Sequence, residues 1–175
     1  MYDLEKALNK FGKRVVKESK ANLNKYNRKD TKKLQKSISY DLDINKNSFS
    51  LAFIMEDYGS FVDKGVRGKK TSSKAPRSPF KFGTGSGKKG GLTKSIATWI
   101  KRKGIKGRGK DGRFITDKSL TFLISRSIYQ HGIKPSLFFT KPFEKYFTGL
   151  PDELVEAYGL EIEDFLDHTL NEIFD

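Results

Sequence analysis

The chain has 175 residues, of which 35% are apolar and 32% charged, and its formal net charge is +14; that length suffices for one hydrophobic core. Cysteine is absent, which excludes disulfide staples and thiolate metal sites, and no apolar run approaches the ~20 residues that cross a bilayer. An excess of positive charge favours polyanions or acidic protein faces as partners.

Leu4, Ala7, Leu8, Phe11, Val15 and Leu23 recur at helical steps with Lys and Glu between them. This predicts an amphipathic helix over residues 2–24 with a solvated, Lys-rich outer face. The alternation of charged and apolar residues there predicts no signal peptide. Residues 25–36 are polar and read as a loop. Ile38, Tyr40, Leu42 and Ile44 then alternate with polar residues, Asn45-Lys46-Asn47 supplies turn chemistry, and Phe49, Leu51 and Phe53 alternate on the return. Together these predict a β-hairpin. Tyr58, Phe61 and Val62 have the spacing of one helical turn, and Gly65 releases the chain into a different kind of sequence.

Residues 64–113 hold seventeen Lys/Arg and a single acid, Asp111, and are studded with glycine. A segment so charged and so poor in apolar side chains is expected not to pack a core of its own; it reads as an extended basic arm held by a partner. Pro76-Arg77-Ser78-Pro79 imposes an extended path, and Phe80 and Phe82 form an island too short for a core strand. A helix is expected over Leu92–Lys103, stopped by Gly104. Asp117 is placed as the N-cap of a further helix whose Leu120, Phe122, Leu123, Ile124, Ile128 and Tyr129 make it apolar on more than one side, as for a central core helix ended by Gly132. Leu137-Phe138-Phe139 reads as a short strand or buried turn, and Pro142 opens a short helix over Phe143–Thr148. From Pro151 to Asp175 there are nine Asp/Glu and no Lys or Arg, with an apolar stripe of Leu154, Tyr158, Ile162, Phe165, Leu166, Leu170 and Ile173; this predicts an acidic C-terminal helix. The expected fold class is α+β: a long N-terminal helix packed on a small antiparallel sheet in one domain over residues 1–150, with residues 66–116 as the arm and 151–175 as the acidic helix.

Chemical motifs are sparse. Gly85-Ser86-Gly87-Lys88-Lys89-Gly90 matches the letters of a dinucleotide fingerprint, but Pro79 and Lys81 stand where the preceding buried strand must be, and Lys89 replaces the Ser/Thr of a Walker A loop. His131 and His168 lack a neighbouring nucleophile or metal-ligand spacing. Glu161, Glu163, Asp164 and Asp167 read as a solvated face. The expectation is a protein without catalytic residues, cofactor or metal. Two partner classes remain for the arm. Lys69, Lys70, Arg77, Lys81, Lys88, Lys89, Arg102, Lys103, Arg108 and Lys110 would face DNA or acidic protein. Phe80, Phe82, Trp99 and Phe114 could stack on single-stranded bases or anchor a protein interface.

Tyr58-Gly59-Ser60-Phe61-Val62-Asp63-Lys64-Gly65 and Phe138-Phe139-Thr140-Lys141-Pro142-Phe143, in this order of elements, resemble the neck or tail-completion (head–tail joining) proteins of tailed bacteriophages, particularly those of crAss-like phages. The resemblance covers roughly residues 1–148; Asp63 stands where that family more often has Glu, and the long basic arm and the acidic helix are additions. It implies a non-enzymatic virion protein, assembled in the host cytoplasm, that forms a twelve-fold or six-fold homo-oligomeric ring between portal and tail around the DNA channel. Tyr58, Phe61, Val62, Gly65, Phe80, Phe82, Trp99, Phe139, Pro142 and Phe143 would then contact neighbouring subunits or other neck, portal and tail proteins, with no membrane involved. The alternative is a protein that binds nucleic acid non-specifically through residues 66–113.

Overall fold

A computed structural model describes residues 2–25, 31–45, 48–84 and 90–156. The fold is α+β, with a long N-terminal helix against a two-stranded antiparallel sheet and further helices. Its residues fall into two compact units: residues 1–59 with 137–175, and residues 60–136, which lie between them in sequence. This division differs from the expected single body with an arm.

In the first unit, α1 (Tyr2–Lys25) buries Ala7, Leu8 and a row at four-residue steps: Phe11, Val15, Ser19 and Leu23. The Lys-rich remainder of the helix faces water, as its periodicity requires. The strands β1 (Ser39–Asn45) and β2 (Ser48–Ile54) pair in register, Tyr40 opposite Phe53 and Leu42 opposite Leu51. These four side chains share the half-covered face, the expected outcome of period-two alternation. Gly12 lets α1 approach the sheet: a Cβ there would stand 2.7 Å from the Tyr40 ring, whose hydroxyl donates to Asn9 Oδ1 at 2.9 Å. Residues 33–36, expected as loop, instead belong to a short helix, α2 (Lys33–Ser37), pinned by the buried Leu34 and by a Lys33–Glu56 ion pair of 2.8 Å.

Aromatic rings close this unit. Phe11 meets Phe53 and Phe143 edge-on at 6.0 and 5.7 Å, and Phe53 meets Phe139 at 5.2 Å. Phe138 lies in a turn and is fully buried. The helix after it, α6 (Thr140–Phe147), begins two residues before Pro142. Residues 150–156 are helical, and Glu153 of this stretch pairs with Lys10 at 3.1 Å. The rest of the expected acidic helix, with the stripe from Tyr158 to Ile173, His168 and the acids Glu161, Glu163, Asp164 and Asp167, lies outside the described residues, as do Lys46 and Asn47 of the hairpin turn.

Glu18 ties α1 to α6. Its Oε2 accepts from Lys145 Nζ at 2.8 Å and from the Tyr146 hydroxyl at 2.5 Å. The hydrogen bond from Lys145, and then that from Tyr146, hold the Glu18 carboxyl below its ordinary value, while Glu18 holds Lys145 above its own. A lowered carboxyl contributes stability that is present above the ordinary glutamate range and is lost as pH falls through the folded value; the raised lysine contributes below the ordinary lysine range and loses its part as pH rises through the folded value. The tie is therefore complete across neutral pH. Glu18→Gln is expected to lower the urea midpoint modestly at pH 7, because the group is partly exposed and screened. Its difference from the parent should vanish well below the glutamate range. Urea titrations at the two pH values check this; a gap that persists in acid would remove the ionic account.

The second unit begins in α3 (Gly59–Lys64). Two short strands, β3 (Val66–Arg67) and β4 (Gly132–Ile133), pair antiparallel, and Ser136 donates through both its N–H (3.2 Å) and its hydroxyl (2.7 Å) to the Val62 carbonyl. Between them run α4 (Gly91–Lys103), stopped as expected by Gly104, and α5 (Asp117–His131). The N-cap of α5 is Thr116, one residue before the expected Asp117: its hydroxyl accepts from Ser119 N at 3.1 Å.

Two expectations are corrected here. Residues 64–84 and 90–113 do not stand off as an arm without packing of their own. Backbone groups hold them: Arg67 N donates to Phe80 O and Phe82 N to Arg67 O (2.8 and 2.9 Å), and Lys69 N donates to Tyr129 O (2.8 Å). Val66, Ala75 and Ile100 supply buried anchors, and Ser78 Oγ, also buried, donates to Gly65 O at 2.7 Å. Composition underestimates such a segment because main-chain hydrogen bonds satisfy it while most of its charged side chains stay in water, the half-buried Arg67 apart. Secondly, α5 is not an all-round core helix. Its buried residues are the small Thr121 and Ser125, whereas Phe122 and Leu123 are 58% and 54% exposed.

Candidate interaction surface

Charge divides between the units. Residues 60–136 carry twenty Lys/Arg against Asp63, Asp111 and Asp117, while the remaining residues carry fifteen Lys/Arg against eighteen acids. All of the net positive charge therefore belongs to the second unit. Its three acids are Asp117, 3.2 Å from Lys106, Asp111, 4.0 Å from Arg113, and the buried Asp63.

Three exposed aromatics of this unit are each met by a cation. Arg108 lies over Phe114 at 4.3 Å from the ring centroid, Lys69 over Tyr129 at 5.8 Å, and Arg126 over Phe122 at 5.9 Å. Because Phe122, Leu123, Arg126 and Tyr129 recur at helical steps along α5, they form one exposed apolar and cationic stripe. Aromatic and Arg side chains together are the composition of interface hot spots.

The residues singled out from the sequence separate into surface and interior. Tyr58 and Phe61 are exposed, and Phe61 meets the half-buried Phe80 edge-on at 4.5 Å. Phe82 is half-buried against Tyr129 at 5.8 Å, and Trp99 is half-buried on α4. Val62 and Gly65 hold structure through their carbonyls, which receive Ser136 and Ser78, respectively. Phe139, Pro142 and Phe143 belong to the packing of the first unit: Pro142 is fully buried, and Phe139 and Phe143 meet in its aromatic cluster at 5.9 Å with their planes tilted by 31°. Packing accounts for these three without a partner. Lys69, Lys70, Arg77, Lys81, Arg102, Lys103, Arg108 and Lys110 are all exposed; Lys88 and Lys89, with the rest of the Gly85–Lys89 stretch, lie outside the described residues. Phe122, Leu123 and Arg126 were missing from the sequence-derived set, because apolar periodicity does not reveal whether protein or water covers a helix face.

His131 Nδ1 lies 3.0 Å from the Ser127 carbonyl oxygen, a local contact at a helix end. Among the described residues no group of three His, Asp or Glu side chains is placed to hold a metal ion, and no helix is long and apolar enough to cross a membrane. No protein-family model, curated protein or solved structure matches this chain.

Proposed function

We infer that this chain is a non-enzymatic structural subunit of a tailed-phage neck, which assembles with copies of itself into a ring between portal and tail. The observation that carries this reading is the exposed stripe of α5, where Phe122 and Leu123 face water although small residues of the same helix are buried. Because each is already nearly half covered, burying the remainder against a neighbour would contribute about 1–1.5 kcal/mol each.

Charge supports head-to-tail contacts. Two second units meeting face to face would set like charge against like, which is unfavourable. A second unit set against a neighbour's first unit meets a net acidic sequence, eighteen acids against fifteen Lys/Arg. A contact between unlike faces repeats from subunit to subunit and closes into a ring when the rotation allows. The sequence resemblance to neck and tail-completion proteins names the particle in which such a ring works.

Mass photometry and negative-stain micrographs of the purified chain test this. A closed oligomer is expected at low salt, weakening as salt screens the exposed charges. Leu123→Glu should shift the population to monomer with an unchanged circular dichroism spectrum, since the side chain is already exposed. A chain that stays monomeric at low salt and tens of micromolar, or assembles equally well with Glu at this position, would overturn the reading.

A further inference from the structure

The densest charge in the second unit falls between the last turn of α4 and the start of α5, and the backbone there is tied. Gly109 N donates to Arg113 O at 2.8 Å, Gly112 N to Gly109 O at 3.0 Å and Ile115 N to Gly107 O at 3.0 Å, while Arg108 and Phe114 face each other as an antiparallel bridge. At the base of this loop Lys106 is fastened to Asp117. On its side Phe114 is 65% exposed, and the Arg108 guanidinium covers the ring. The Arg108 Nη1 also donates to the Gly112 carbonyl at 3.0 Å, a second contact that orients the guanidinium at the ring. Lys110 and Arg113 of the loop and Lys101 in the last turn of α4 are exposed, Arg113 with the exposed Asp111 carboxylate 4.0 Å from its Nε.

We propose that this loop is a binding site for single-stranded nucleic acid, in which Lys101, Lys110 and Arg113 contact backbone phosphates and an unstacked base lies on the Arg108–Phe114 platform. A single strand offers a phosphate at every step and a flat ring beside it, which is the pattern displayed here: cations around an exposed, pre-set π-surface. An acidic polypeptide would satisfy the cations but has no systematic use for the ring. The same surface of a second copy would be repelled. A duplex can use the phosphate contacts while keeping its bases stacked, so it makes less of Phe114. The assignment is independent of ring assembly, because binding to monomer or ring is read in the same way.

Fluorescence anisotropy with the full chain tests it, using labelled oligothymidylate of about thirty nucleotides and a duplex of equal length, from about 50 mM salt upward. Oligothymidylate is expected to bind at low salt, with log affinity falling linearly against log salt. Phe114→Ala should weaken oligothymidylate about tenfold and the duplex less than about twofold. Lys110→Gln with Arg113→Gln should flatten the single-strand slope by about 1.4, whereas Lys94→Gln, an exposed change elsewhere on α4, should leave it unaltered. Absence of binding at the lowest salt would overturn the assignment, as would affinities indifferent to Phe114. So would displacement by polyaspartate as effective, charge for charge, as that by unlabelled oligothymidylate, since the loop would then be a site for acidic protein.

Discussion

Replacing Gly132 by Ala is expected to unfold the second unit. Gly132 has φ +79° and ψ −174°, a backbone region that is essentially closed to residues with a Cβ and costs about 1–3 kcal/mol when forced. Steric overlap adds to this. A Cβ would run into the Val66 carbonyl oxygen and stand 2.6 Å from Gly68 N and 2.9 Å from the Arg67 carbonyl carbon. All three are main-chain atoms, so no side chain can swing away to relieve the clash. Across the crossing, Gly68 is equally enclosed, its own Cβ position blocked by the Gln130 carbonyl. Two backbones cross here with no layer of side chains between them. The combined cost should exceed about 4 kcal/mol, at the far end of what single substitutions do. Amide hydrogen exchange gives a local readout. The amides of Lys69, Lys70 and Thr71, which donate to Tyr129 and Gln130, should lose protection, while those of the β1–β2 ladder keep theirs if the units open separately. A variant with full protection at Lys69 would show that the crossing tolerates a methyl group.

Phe138→Ala is expected to cost the first unit about 3–5 kcal/mol, the range for removing a large buried ring and leaving a cavity. Phe138 is the largest fully buried side chain of the described residues, and Asn22 Nδ2 donates to its carbonyl at 3.4 Å, tying the turn to α1. Phe147 is the comparison. It stacks on Phe143 at 5.4 Å and 12° between planes but is 49% exposed, so Phe147→Ala should cost about 1 kcal/mol, mainly ring contact. Urea denaturation checks the pair: the midpoint for Phe138→Ala should fall several times further than for Phe147→Ala, with unchanged slopes. Equal shifts would mean that the turn collapses around the missing ring.

The elements legible in the sequence are those with one covered face. Along α1, Phe11, Val15 and Leu23 announce the helix and the side it buries, and Tyr40, Leu42, Leu51 and Phe53 do the same for the hairpin. Hydrophobic periodicity works there because the same chain supplies the cover. It fails on α5, where Phe122 and Leu123 obey the period but are exposed, and where Thr121 and Ser125 are buried for their size rather than their polarity. It fails differently in residues 64–113, where Arg67, Lys69 and Lys70 enter the fold through their amides and carbonyls, groups identical in every residue type but proline. The helix Lys33–Ser37 was illegible for a third reason. Its cap residue, Lys32, has φ +57° and makes no side-chain cap bond, so only Leu34 marks it. Of the interaction surface, the basic residues could be read from composition, but the Arg108–Phe114 stack depends on a turn at Gly112 that composition does not register.

The double hydrogen bond from Ser136 to Val62 fastens the exit of the second unit to its entrance. A body whose two ends are stitched together presents the host chain with the span of a short loop, whatever its own length or charge. Insertions, deletions and shuffling of everything between those two residues can then proceed without stretching the scaffold that receives them. In this sense the basic unit attaches to the helix-and-hairpin frame at one joint, closed by a single serine.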